Sequence, residues 1–424
     1  MASKITAPKG TKDILPEEIY LWEKVENTAK KVCERYQYKQ IRTPEFENVS
    51  LFQRGIGDTT DVVQKEMYTF SRNQKEIFAL KPEGTAGVVR AFNEHSMLSR
   101  PLPIKLFYLT SCYRCENPQK GRQRQFHQFG IEVLGSKSPI TDAEVIGLGF
   151  DFIREIGIRN ITLKINSVGC SNCRNAYYTK LRTFLEPHVE ELCDVCKSRL
   201  EKNPMRVLDC KNEKCQQITK DAPLMVEHLC EDCKSHYGSV KAYLTIAGIP
   251  FQEDPTIVRG LDYYTNTAFE FISSDLGAQS ALGGGGRYNQ LVEMVGGSDV
   301  PGIGFAMGLE RLLLILKEQG ITEEKIDTVD IYIAPLGEPA HAKAFKDVQA
   351  LRQMGFLAEM DCMQRSLKGQ MKYANKLNAR YVAILGEEEL EKEKYLLRDM
   401  QTKAQQEIDF DSLVNLIKSN GGLE

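Results

Sequence analysis

The sequence predicts an α+β protein in which an antiparallel sheet is flanked by helices, with a cysteine-rich insertion and a separate C-terminal α/β domain. Short strand-like runs with short connectors recur before about residue 290, as in antiparallel sheets. Eight of the twelve cysteines lie between Cys170 and Cys233. After Ile326, short apolar strands alternate with helical stretches, which is typical of a βαβαβ unit.

Each element has its own local pattern. Residues 16–36 open with a proline and repeat apolar side chains at helical spacing, so they predict a helix. Residues 139–157 predict a second helix and residues 300–320 a third. The strand-like runs of the first block are 76–82, 104–114, 125–135, 268–274 and 280–286, and those of the C-terminal domain are 330–337, 356–361 and 381–386.

Length and composition narrow the class of protein. A chain of 424 residues corresponds to two to four domains at roughly 100–200 residues each. It is 42% hydrophobic and 27% charged, and no apolar run approaches the roughly 18 residues of a membrane span. The N-terminal stretch has no apolar signal-peptide region, so we expect a cytoplasmic protein without membrane contacts. A net charge of −3 leaves any nucleic-acid binding to local patches.

The stretch from Tyr113 to Gly135 predicts a long hairpin with a basic loop. Guanidinium groups match phosphate oxygens in two-point contacts, so the loop suits an anion such as a polyphosphate. A solvated surface loop is the alternative that the loop by itself leaves open. Its charged residues are four bases and one acid: Arg114, Lys120, Arg122, Arg124 and Glu116.

Two further stretches carry polar residues beside apolar ones. In "IVRGLDYYTNTAFEF", Arg259, Tyr263 and Tyr264 crowd together before a strand, which fits a pocket or a core equally well. In "PGIGFAMGLERLLLIL", the last glycine comes one residue late for a dinucleotide-binding fingerprint. These glycines instead predict a helix that packs tightly, with Arg311 emerging above it or facing solvent.

Four successive glycines, Gly283 to Gly286, raise the question of what approaches their backbone. Each glycine inside a strand costs roughly 0.5–1 kcal/mol relative to alanine. The stretch contains neither phosphate-binding glycine motif, G-x-x-x-x-G-K-[ST] or G-x-G-x-x-G. The glycines therefore indicate a close neighbour of another kind.

The hairpin Tyr113–Gly135 and the stretches that contain Arg259 and Arg311 resemble, in order and residue types, the signature motifs of class II aminoacyl-tRNA synthetases. "ALKPEGT" (79–85), "RGLDYYT" (259–265) and "GGGGRYN" (283–289) are similar to the histidine-specific versions, in the same order. Over nearly its full length the chain resembles the histidyl-tRNA synthetase family. The weakest match is the first class signature, whose dimer-forming segment would end near Pro44.

The resemblance implies the domain plan and the reaction. The class II catalytic domain would comprise residues 1–169 and 241–325, with the insertion at 170–240 and an anticodon-binding domain at 326–424. The family joins L-histidine to ATP, giving histidyl-adenylate and pyrophosphate, and then transfers histidine to the 3′ end of tRNA(His). ATP would bind with Mg²⁺, and the protein would be a homodimer.

The resemblance also assigns roles to residues. Arg259 and Arg114 would be catalytic, because permanently charged guanidinium groups can stabilise the reacting α-phosphate. The glycine strand would lie beneath the ligand, where side chains would occupy the ligand's space. The expected ATP-binding residues are Arg114, Glu116, Arg122, Phe126 and Arg311. The expected histidine-binding residues are Glu83, Thr85, Arg114, Gln128, Glu132, Arg259, Tyr263 and Tyr264.

Recognition of the imidazole has a simple chemical logic. Neutral imidazole offers one donor and one acceptor nitrogen in the ring plane. In the family, Glu132 and Tyr264, with Tyr263 nearby, would address these two nitrogens. Such matched groups discriminate by about 10⁴ against analogues that lack them, because the pocket's own polar groups would lose their partners.

The insertion predicts one or two tetrahedral metal sites. Without a secretion signal, its cysteines should be thiols or metal ligands, and C-x-x-C pairs suit tetrahedral Zn²⁺. The favoured ligands for one Zn²⁺ are Cys193, Cys196, Cys230 and Cys233. Reduced cysteines in a small core are the alternative, and the family does not need zinc for its chemistry.

Two surfaces are expected to contact tRNA. Lys368, Lys372 and Lys376 share one face of a predicted helix, in a stretch without acids. Such stripes are often merely solvated, but the resemblance places this one in the anticodon-binding domain. Gln119, in the tip of the basic hairpin, matches the family at the tRNA acceptor end.

Two rival functions remain. One is a non-catalytic paralogue that acts as the regulatory subunit of ATP phosphoribosyltransferase, which typically lacks the anticodon domain and loses catalytic residues. This chain keeps Arg114, Arg259 and Arg311. The other is a zinc-dependent nucleic-acid-binding protein without enzymatic activity, which leaves the pocket motifs unused.

Overall fold

A computed structural model of the chain describes residues 4–57, 60, 62–71, 75–210, 212–258, 260–275, 281–321 and 328–420. The chain forms two compact units, Met1–Glu323 and Glu324–Glu424. The four-part domain plan is finer than this division and stays a prediction.

The first unit contains an eight-stranded and a three-stranded sheet surrounded by helices. Its helices are α1 (Pro16–Arg35), α2 (Val49–Ile56), α3 (Thr85–Glu94), α4 (Pro139–Glu155), α5 (Ser171–Leu185), α6 (Asp194–Lys202), α7 (Glu213–Thr219), α8 (Glu231–Ile246), α9 (Leu291–Met294) and α10 (Leu309–Glu318). Its strands are β1 (Lys39–Gln40), β2 (Phe46–Asn48), β3 (Thr69–Ser71), β4 (Ile77–Leu80), β5 (Ile104–Tyr113), β6 (Gln125–Leu134), β7 (Ile161–Ser167), β8 (Gln252–Glu253), β9 (Thr265–Ser273), β10 (Ala281–Arg287) and β11 (Gly302–Gly308).

The large sheet has the strand order β1-β5-β6-β11-β10-β9-β7-β8. Its central strands pair antiparallel, and only the two-residue edge strands β1 and β8 pair parallel to their neighbours. One face is buried in a core shared with α1, α4, α8 and α10, to which it contributes Phe129, Ile131, Phe269, Phe271 and Phe305. The antiparallel-sheet prediction is confirmed. The opposite face carries a cavity.

The helix predicted for residues 300–320 is wrong in its first half. Gly302–Gly308 forms β11 in the middle of the sheet, and the helix α10 begins only at Leu309. The physical reason is close packing between strands. A Cβ at Gly304 would lie 2.0 Å from a carboxylate oxygen of Glu132 on the neighbouring strand β6. The glycines that suggested tight helix packing therefore serve a sheet.

Over its described residues, 328–420, the second unit is a five-stranded sheet with four α-helices. Its strands are β12 (Ile331–Pro335), β13 (Ala358–Met360), β14 (Tyr381–Leu385), β15 (Tyr395–Asp399) and β16 (Gln405–Ile408), and its helices are α11 (Glu338–Gln353), α12 (Leu367–Lys376), α13 (Glu387–Glu391) and α14 (Phe410–Asn420). The order is β13-β12-β14-β15-β16. The first three strands are parallel, as the βαβαβ pattern predicts, while β15 and β16 add an antiparallel edge.

In the part of the chain that the structure describes, none of the helices has both the length and the apolar composition needed to cross a membrane.

Candidate active site

A cavity of ≈ 390 Å³ lies on the face of the large sheet that is turned away from the core. Small residues form part of its floor, because Gly284 of β10 pairs with Ala306 of β11 and both line the cavity. Leu282, Gly283 and Gly284 line the cavity with Ala306. The floor is thus mostly backbone, which leaves room for a ligand above it.

The glycines of β10 serve the two faces of the sheet in alternation. Gly284 belongs to the cavity side, whereas Gly283 and Gly285 pair with the core residues Met307 and Phe305. A Cβ at Gly285 would lie 2.0 Å from the carbonyl oxygen of Gly304 and 2.6 Å from the Cβ of Phe305. The view that all four glycines make room for a ligand is therefore corrected, because Gly285 makes room for the neighbouring strand.

Glu132 is the most deeply placed acid of the cavity and is only 1% exposed. The hydroxyl groups of Thr85 (2.7 Å) and Tyr108 (3.2 Å) donate to its Oε1, and that of Tyr288 donates to its Oε2. Burial raises the pKa of Glu132 to about 8, although these donors act in the opposite direction. The carboxyl group can therefore exchange a proton near neutral pH.

Tyr108 and Tyr288 were not among the predicted site residues. Tyr108 pairs with Gly130, and a Cβ at Gly130 would lie 2.2 Å from the Tyr108 ring. Likewise, a Cβ at Gly302 would lie 2.1 Å from the Tyr288 ring. A glycine opposite a tyrosine is the signal that could have found both, with Tyr108 on β5 and Tyr288 directly after β10, but only once the strand register is known.

Glu83 and Thr85 stand at the N-terminus of α3. The Glu83 carboxylate accepts hydrogen bonds from the backbone N–H groups of Thr85 (2.7 Å) and Ala86 (2.8 Å). Burial raises the pKa of Glu83, and the bonded N–H groups partly counteract this effect. The helix thus fixes an acid at the wall of the cavity.

Tyr263 and Tyr264 are buried in the cavity wall with 3% and 8% exposure. Their ring centroids lie 4.7 Å apart, and Tyr263 meets the Tyr288 ring edge-on at 5.7 Å. Burial raises the pKa of Tyr263 well above its usual value, so its hydroxyl group stays protonated. Tyr263 therefore packs against Tyr288, one of the two tyrosines whose hydroxyl groups donate to Glu132.

Arginines lie at the other end of the cavity. The Arg114 guanidinium donates to the carbonyl oxygen of Pro82 (3.0 Å) and stands 5.2 Å above the Phe126 ring. Arg122 pairs with Glu116 at 3.3 Å. All four of the side chains Arg114, Glu116, Arg122 and Phe126 line the cavity.

Arg311 joins this group from α10. It donates to the carbonyl oxygens of Gly121 (3.3 Å) and Ala281. Burial lowers the pKa of Arg311, and the nearby charge of Arg122 acts in the same direction. A positively charged group at such a place favours binding of an anion. Gln128, another predicted residue, lines the cavity and accepts a bond from the Cys112 thiol at 3.2 Å.

Arg259, the arginine predicted to be catalytic, lies outside the described residues. Its neighbour Gly260 lines the cavity and accepts a hydrogen bond from Arg206 at 2.7 Å. Arg206 is itself 8% exposed and lines the cavity, although it belongs to the insertion. Sequence analysis did not single out Arg206, since nothing in its local pattern connects it with the pocket.

A buried ion pair supports the end of the glycine strand. Arg287, 1% exposed, donates to both carboxylate oxygens of Asp142 on α4 and to the carbonyl oxygens of Ser136 and Ser138, each at 2.8 Å. His236 of α8 lies 3.1 Å from the same carboxylate. This network joins β10, α4 and α8 behind the cavity.

The insertion gathers its eight cysteines into two groups that could each hold a metal ion. The groups are Cys170, Cys173, Cys230 and Cys233, and Cys193, Cys196, Cys210 and Cys215. The predicted quartet of Cys193, Cys196, Cys230 and Cys233 is wrong, because it takes one C-x-x-C pair from each group. Spacing along the chain cannot decide which pairs meet in space.

The predicted tRNA-binding residues are at the surface. Lys368, Lys372 and Lys376 are exposed on α12, whose other side packs Leu367, Met371 and Ala374 against the second unit's core. Arg365, just before α12, forms an ion pair with Asp361 at 2.6 Å and is not part of the surface formed by the three lysines. In the first unit, Gln119 is exposed in a turn and exchanges backbone hydrogen bonds with Arg122.

Comparison with known proteins adds independent findings. The family model for histidyl-tRNA synthetase matches residues 10–312, and that for the anticodon binding domain matches residues 330–420. The Histidine--tRNA ligase of Acetivibrio thermocellus is 52% identical over 412 residues, which cover 97% of this chain and 99% of that protein. The protein of the same name from Caldanaerobacter subterraneus subsp. tengcongensis is 51% identical over 413 residues, with 97% and 99% coverage.

The fold is also similar to a solved structure. The crystal structure of apo histidyl-tRNA synthetase from S. aureus superimposes with a TM-score of 0.83 and 40% sequence identity. The match covers 98% of this chain and 100% of that chain. The similarity therefore extends across both units.

Proposed function

Because the chain belongs to the histidyl-tRNA synthetase family and is a histidine–tRNA ligase, we propose that the described cavity is where it activates histidine. The enzyme joins L-histidine to ATP, releases pyrophosphate and transfers the histidyl group to the 3′ end of tRNA(His). The observation that carries the proposal is Glu132, a buried carboxyl group among the hydroxyl groups of Thr85, Tyr108 and Tyr288.

The Glu132 carboxyl group forms a hydrogen bond with the imidazole ring of histidine. With a pKa of about 8, the carboxyl group and an incoming imidazole can share one proton, so that either partner donates to the other. Tyr264 and the neighbouring Tyr263 address the second ring nitrogen. Glu83, Thr85 and Gln128 hold the substrate's ammonium group. A substrate amino acid with an apolar side chain of similar size would leave Glu132 and the tyrosine hydroxyl groups without hydrogen-bond partners, which makes the pocket selective for histidine.

ATP binds with Mg²⁺ as part of the substrate, along the arginine-lined end. Phe126 stacks on the adenine. In the free enzyme, the Arg114 guanidinium lies 5.2 Å from the centre of the Phe126 ring. Glu116 meets the adenine edge, and Arg122 and Arg311 bind the triphosphate. Since Glu116 and Arg122 pair with each other in the free enzyme, ATP would have to separate them.

Arg114 and Arg259 carry the chemical step. The histidine carboxylate attacks the α-phosphorus, pyrophosphate leaves, and no general base is required because the nucleophile is already ionised. The two guanidinium groups stabilise the additional negative charge on the α-phosphate oxygens. Positioning of the two substrates supplies the rest of the acceleration.

The tRNA contacts are assigned by unit. Lys368, Lys372 and Lys376 bind phosphates of the anticodon arm, and Gln119 contacts the acceptor end. The support is the exposure of these side chains and the match of residues 330–420 to the anticodon binding domain. The four-part domain plan, with borders after residues 169, 240 and 325, follows the same assignment.

We further propose that the enzyme is a cytoplasmic homodimer. Its small sheet exposes an aromatic group formed by Phe46, Phe70 and Phe78, with ring centroids 5.6–5.9 Å apart. Phe46 and Phe70 are 49% and 45% exposed. An exposed aromatic patch of this kind is typical of an interface with another protein surface.

The insertion carries structural Zn²⁺ that takes no part in the chemical steps. The regulatory paralogue and the non-enzymatic zinc protein are weaker hypotheses. The relatives named Histidine--tRNA ligase match 97% of the chain, including the anticodon-binding part that the paralogue typically lacks.

One assay tests the proposed site. ATP–pyrophosphate exchange should depend on histidine, and Arg114→Ala should reduce the exchange rate by roughly 10²–10³-fold, because one oriented charge at the reacting phosphate is lost. Arg100→Ala, an exposed arginine outside the cavity, is the matched control. Near-normal exchange in Arg114→Ala would contradict the assignment, whereas exchange without histidine would contradict the proposed substrate.

A further inference from the structure

The two cysteine groups have the dimensions of single-ion tetrathiolate sites. In each group the four sulfur atoms lie within 4.8 Å of one another. Four thiolates at about 2.3 Å from one Zn²⁺ in tetrahedral geometry are separated by about 3.8 Å. Cys170 Sγ lies 3.6 Å from Cys173 Sγ and 4.0 Å from Cys230 Sγ, and Cys193 Sγ lies 3.8 Å from Cys210 Sγ.

These distances separate the alternatives. A disulfide requires about 2.05 Å between sulfur atoms, so the groups are not pairs of disulfides. An iron–sulfur cluster places several atoms between its thiolates and needs a wider arrangement. Unrelated buried thiols have no reason to converge in two groups of four. One tetrahedrally coordinated ion in each group explains the arrangement of its four sulfur atoms.

The backbone around both groups is arranged for thiolates. The N–H of Cys230 donates to Cys173 Sγ at 3.0 Å, and the N–H of Cys193 donates to Cys215 Sγ at 3.4 Å. The N–H of Asn212 donates to Cys210 Sγ at 3.4 Å. Such donors stabilise negative sulfur and are the usual second layer of a metal site.

Residues close to each group in the chain contact the segment 260–266, part of which lines the active-site cavity. Asn203 and Arg206 lie between Cys196 and Cys210 in the chain. The Arg206 guanidinium donates to the carbonyl oxygen of Gly260 (2.7 Å), and the Asn203 side chain donates to the Asp262 carboxylate (2.8 Å). A fixed loop is needed to hold Arg206, whose side chain is 8% exposed.

Residues in and beside the group Cys170, Cys173, Cys230 and Cys233 contact the C-terminal end of the segment 260–266. Arg174, next to the ligand Cys173, donates to the carbonyl oxygens of Val168 (3.2 Å) and Tyr264. The Asn266 side chain donates to Cys233 Sγ at 3.5 Å. The segment 260–266 is therefore held at both ends by residues beside the two cysteine groups.

We propose that the insertion binds two structural Zn²⁺ ions, each through four cysteine thiolates, and that these ions hold the segment 260–266 in place at the cavity. The first site is Cys170, Cys173, Cys230 and Cys233. The second site is Cys193, Cys196, Cys210 and Cys215. This inference extends the structural zinc of the proposed function, and its metal content can be measured without any assay of ligation.

Elemental analysis and native mass spectrometry of the full-length, untagged protein, purified without chelators, test the sites. Two zinc ions per chain are expected in the native protein. Cys196→Ser and Cys233→Ser should each retain one, because the groups are separate, while Cys362→Ser, an exposed cysteine outside them, should retain both. Fewer than two zinc ions in the native protein, or iron in their place, would overturn the proposal, even where a variant fails to fold.

Hydrogen–deuterium exchange tests the second half of the inference on the native sequence. Removing zinc with a chelator should increase exchange in segment 260–266 at least tenfold, whereas strand β14 in the other unit should not change. Arg206→Ala should keep both zinc ions yet raise the KM for histidine about tenfold with little change in kcat. Unchanged exchange in segment 260–266 after zinc loss would refute the support role. These outcomes do not depend on whether Glu132 reads imidazole.

Discussion

Glu132 is a carboxyl group surrounded by three hydroxyl groups, with almost no contact with water. Its position follows from small residues on the adjacent strand, because any side chain at Gly304 would collide with its carboxylate. Glu132 could be identified from its motif, whereas the contacts of Tyr108 and Tyr288 with it could not, although Tyr288 lies within the motif "GGGGRYN". Those tyrosines belong to the site through cross-strand register, which a single sequence does not display.

The first prediction concerns selectivity. Glu132→Gln should raise the KM for histidine in ATP–pyrophosphate exchange by at least about 100-fold, because an amide cannot share the imidazole proton as a carboxyl group does. The KM for ATP should change little. Glu253→Gln, an exposed acid paired with Lys241, is the control. An unchanged KM for histidine would show that Glu132 does not contact the ring.

The second prediction concerns stability and pH. The pKa of Glu132 is raised from 4.5 to about 8, so the folded protein keeps a proton that the unfolded chain releases. The contribution of this group to the free energy of unfolding is therefore full below pH 4.5 and declines as pH rises towards 8, by about 1.4 kcal/mol per unit of pKa shift.

Thermal unfolding measures this effect. The Tm of Glu132→Gln relative to the native protein should increase as the pH is raised from about 5 to about 8.5, since glutamine does not titrate. Any constant difference caused by altered hydrogen bonds does not affect this trend. A Tm difference that is independent of pH would mean that the Glu132 pKa is not raised.

Strand β10 shows how one element serves two purposes. Gly284 faces the cavity, whereas side chains at Gly283 and Gly285 would collide with β11 and one at Gly286 would collide with β9 and Tyr264. The sequence could predict that something approaches this strand, since four glycines are costly, but it could not assign each glycine to a face. The same limit explains the error at β11, because Gly302–Gly308 looks like the start of a helix until its sheet partners are known.

Two adjacent substitutions test the alternation. Gly285→Ala should lower the Tm by several degrees or prevent folding, because its Cβ would lie 2.0 Å from a carbonyl oxygen of β11. Gly284→Val should fold but bind histidine or ATP more weakly, because it faces the cavity. Circular dichroism and exchange kinetics measure the two effects. The reverse pattern would show that the faces are assigned wrongly.

Helix α12 presents the charge expected for a nucleic-acid surface. Reversing two of its charges, Lys372→Glu with Lys376→Glu, should weaken tRNA binding and reduce the salt dependence of log K by roughly one per lysine. ATP–pyrophosphate exchange should be unaffected. The matched control reverses Lys346 and Lys418, which are exposed on α11 and α14. Equal losses of tRNA affinity in both variants would show a general charge effect rather than a binding surface.

At the scale of the whole molecule, the sequence predicted the antiparallel sheet, the insertion and the C-terminal α/β unit, since each has its own periodicity and composition. It could not predict the pairing of the cysteines or the role of Arg206, because both depend on distant segments meeting. Long-range contacts of this kind leave no trace in local spacing.

The homodimer is tested at this scale by sedimentation equilibrium. The mass should be twice that of the 48.0 kDa chain at micromolar concentration. Replacing Phe46 and Phe70 with serine should shift the equilibrium towards the monomer, because these exposed rings would lose their burial in the interface. A native protein that sediments as a monomer at all concentrations would contradict the dimer.

The most direct test of the central claim is a crystal structure of the enzyme with histidinol and ATP bound. The imidazole should lie within hydrogen-bond distance of the Glu132 carboxyl group, above Gly284 and Ala306, with the ATP phosphates against Arg114 and Arg311. A cavity that stays empty at saturating ligand, or an imidazole bound away from Glu132, would contradict the account.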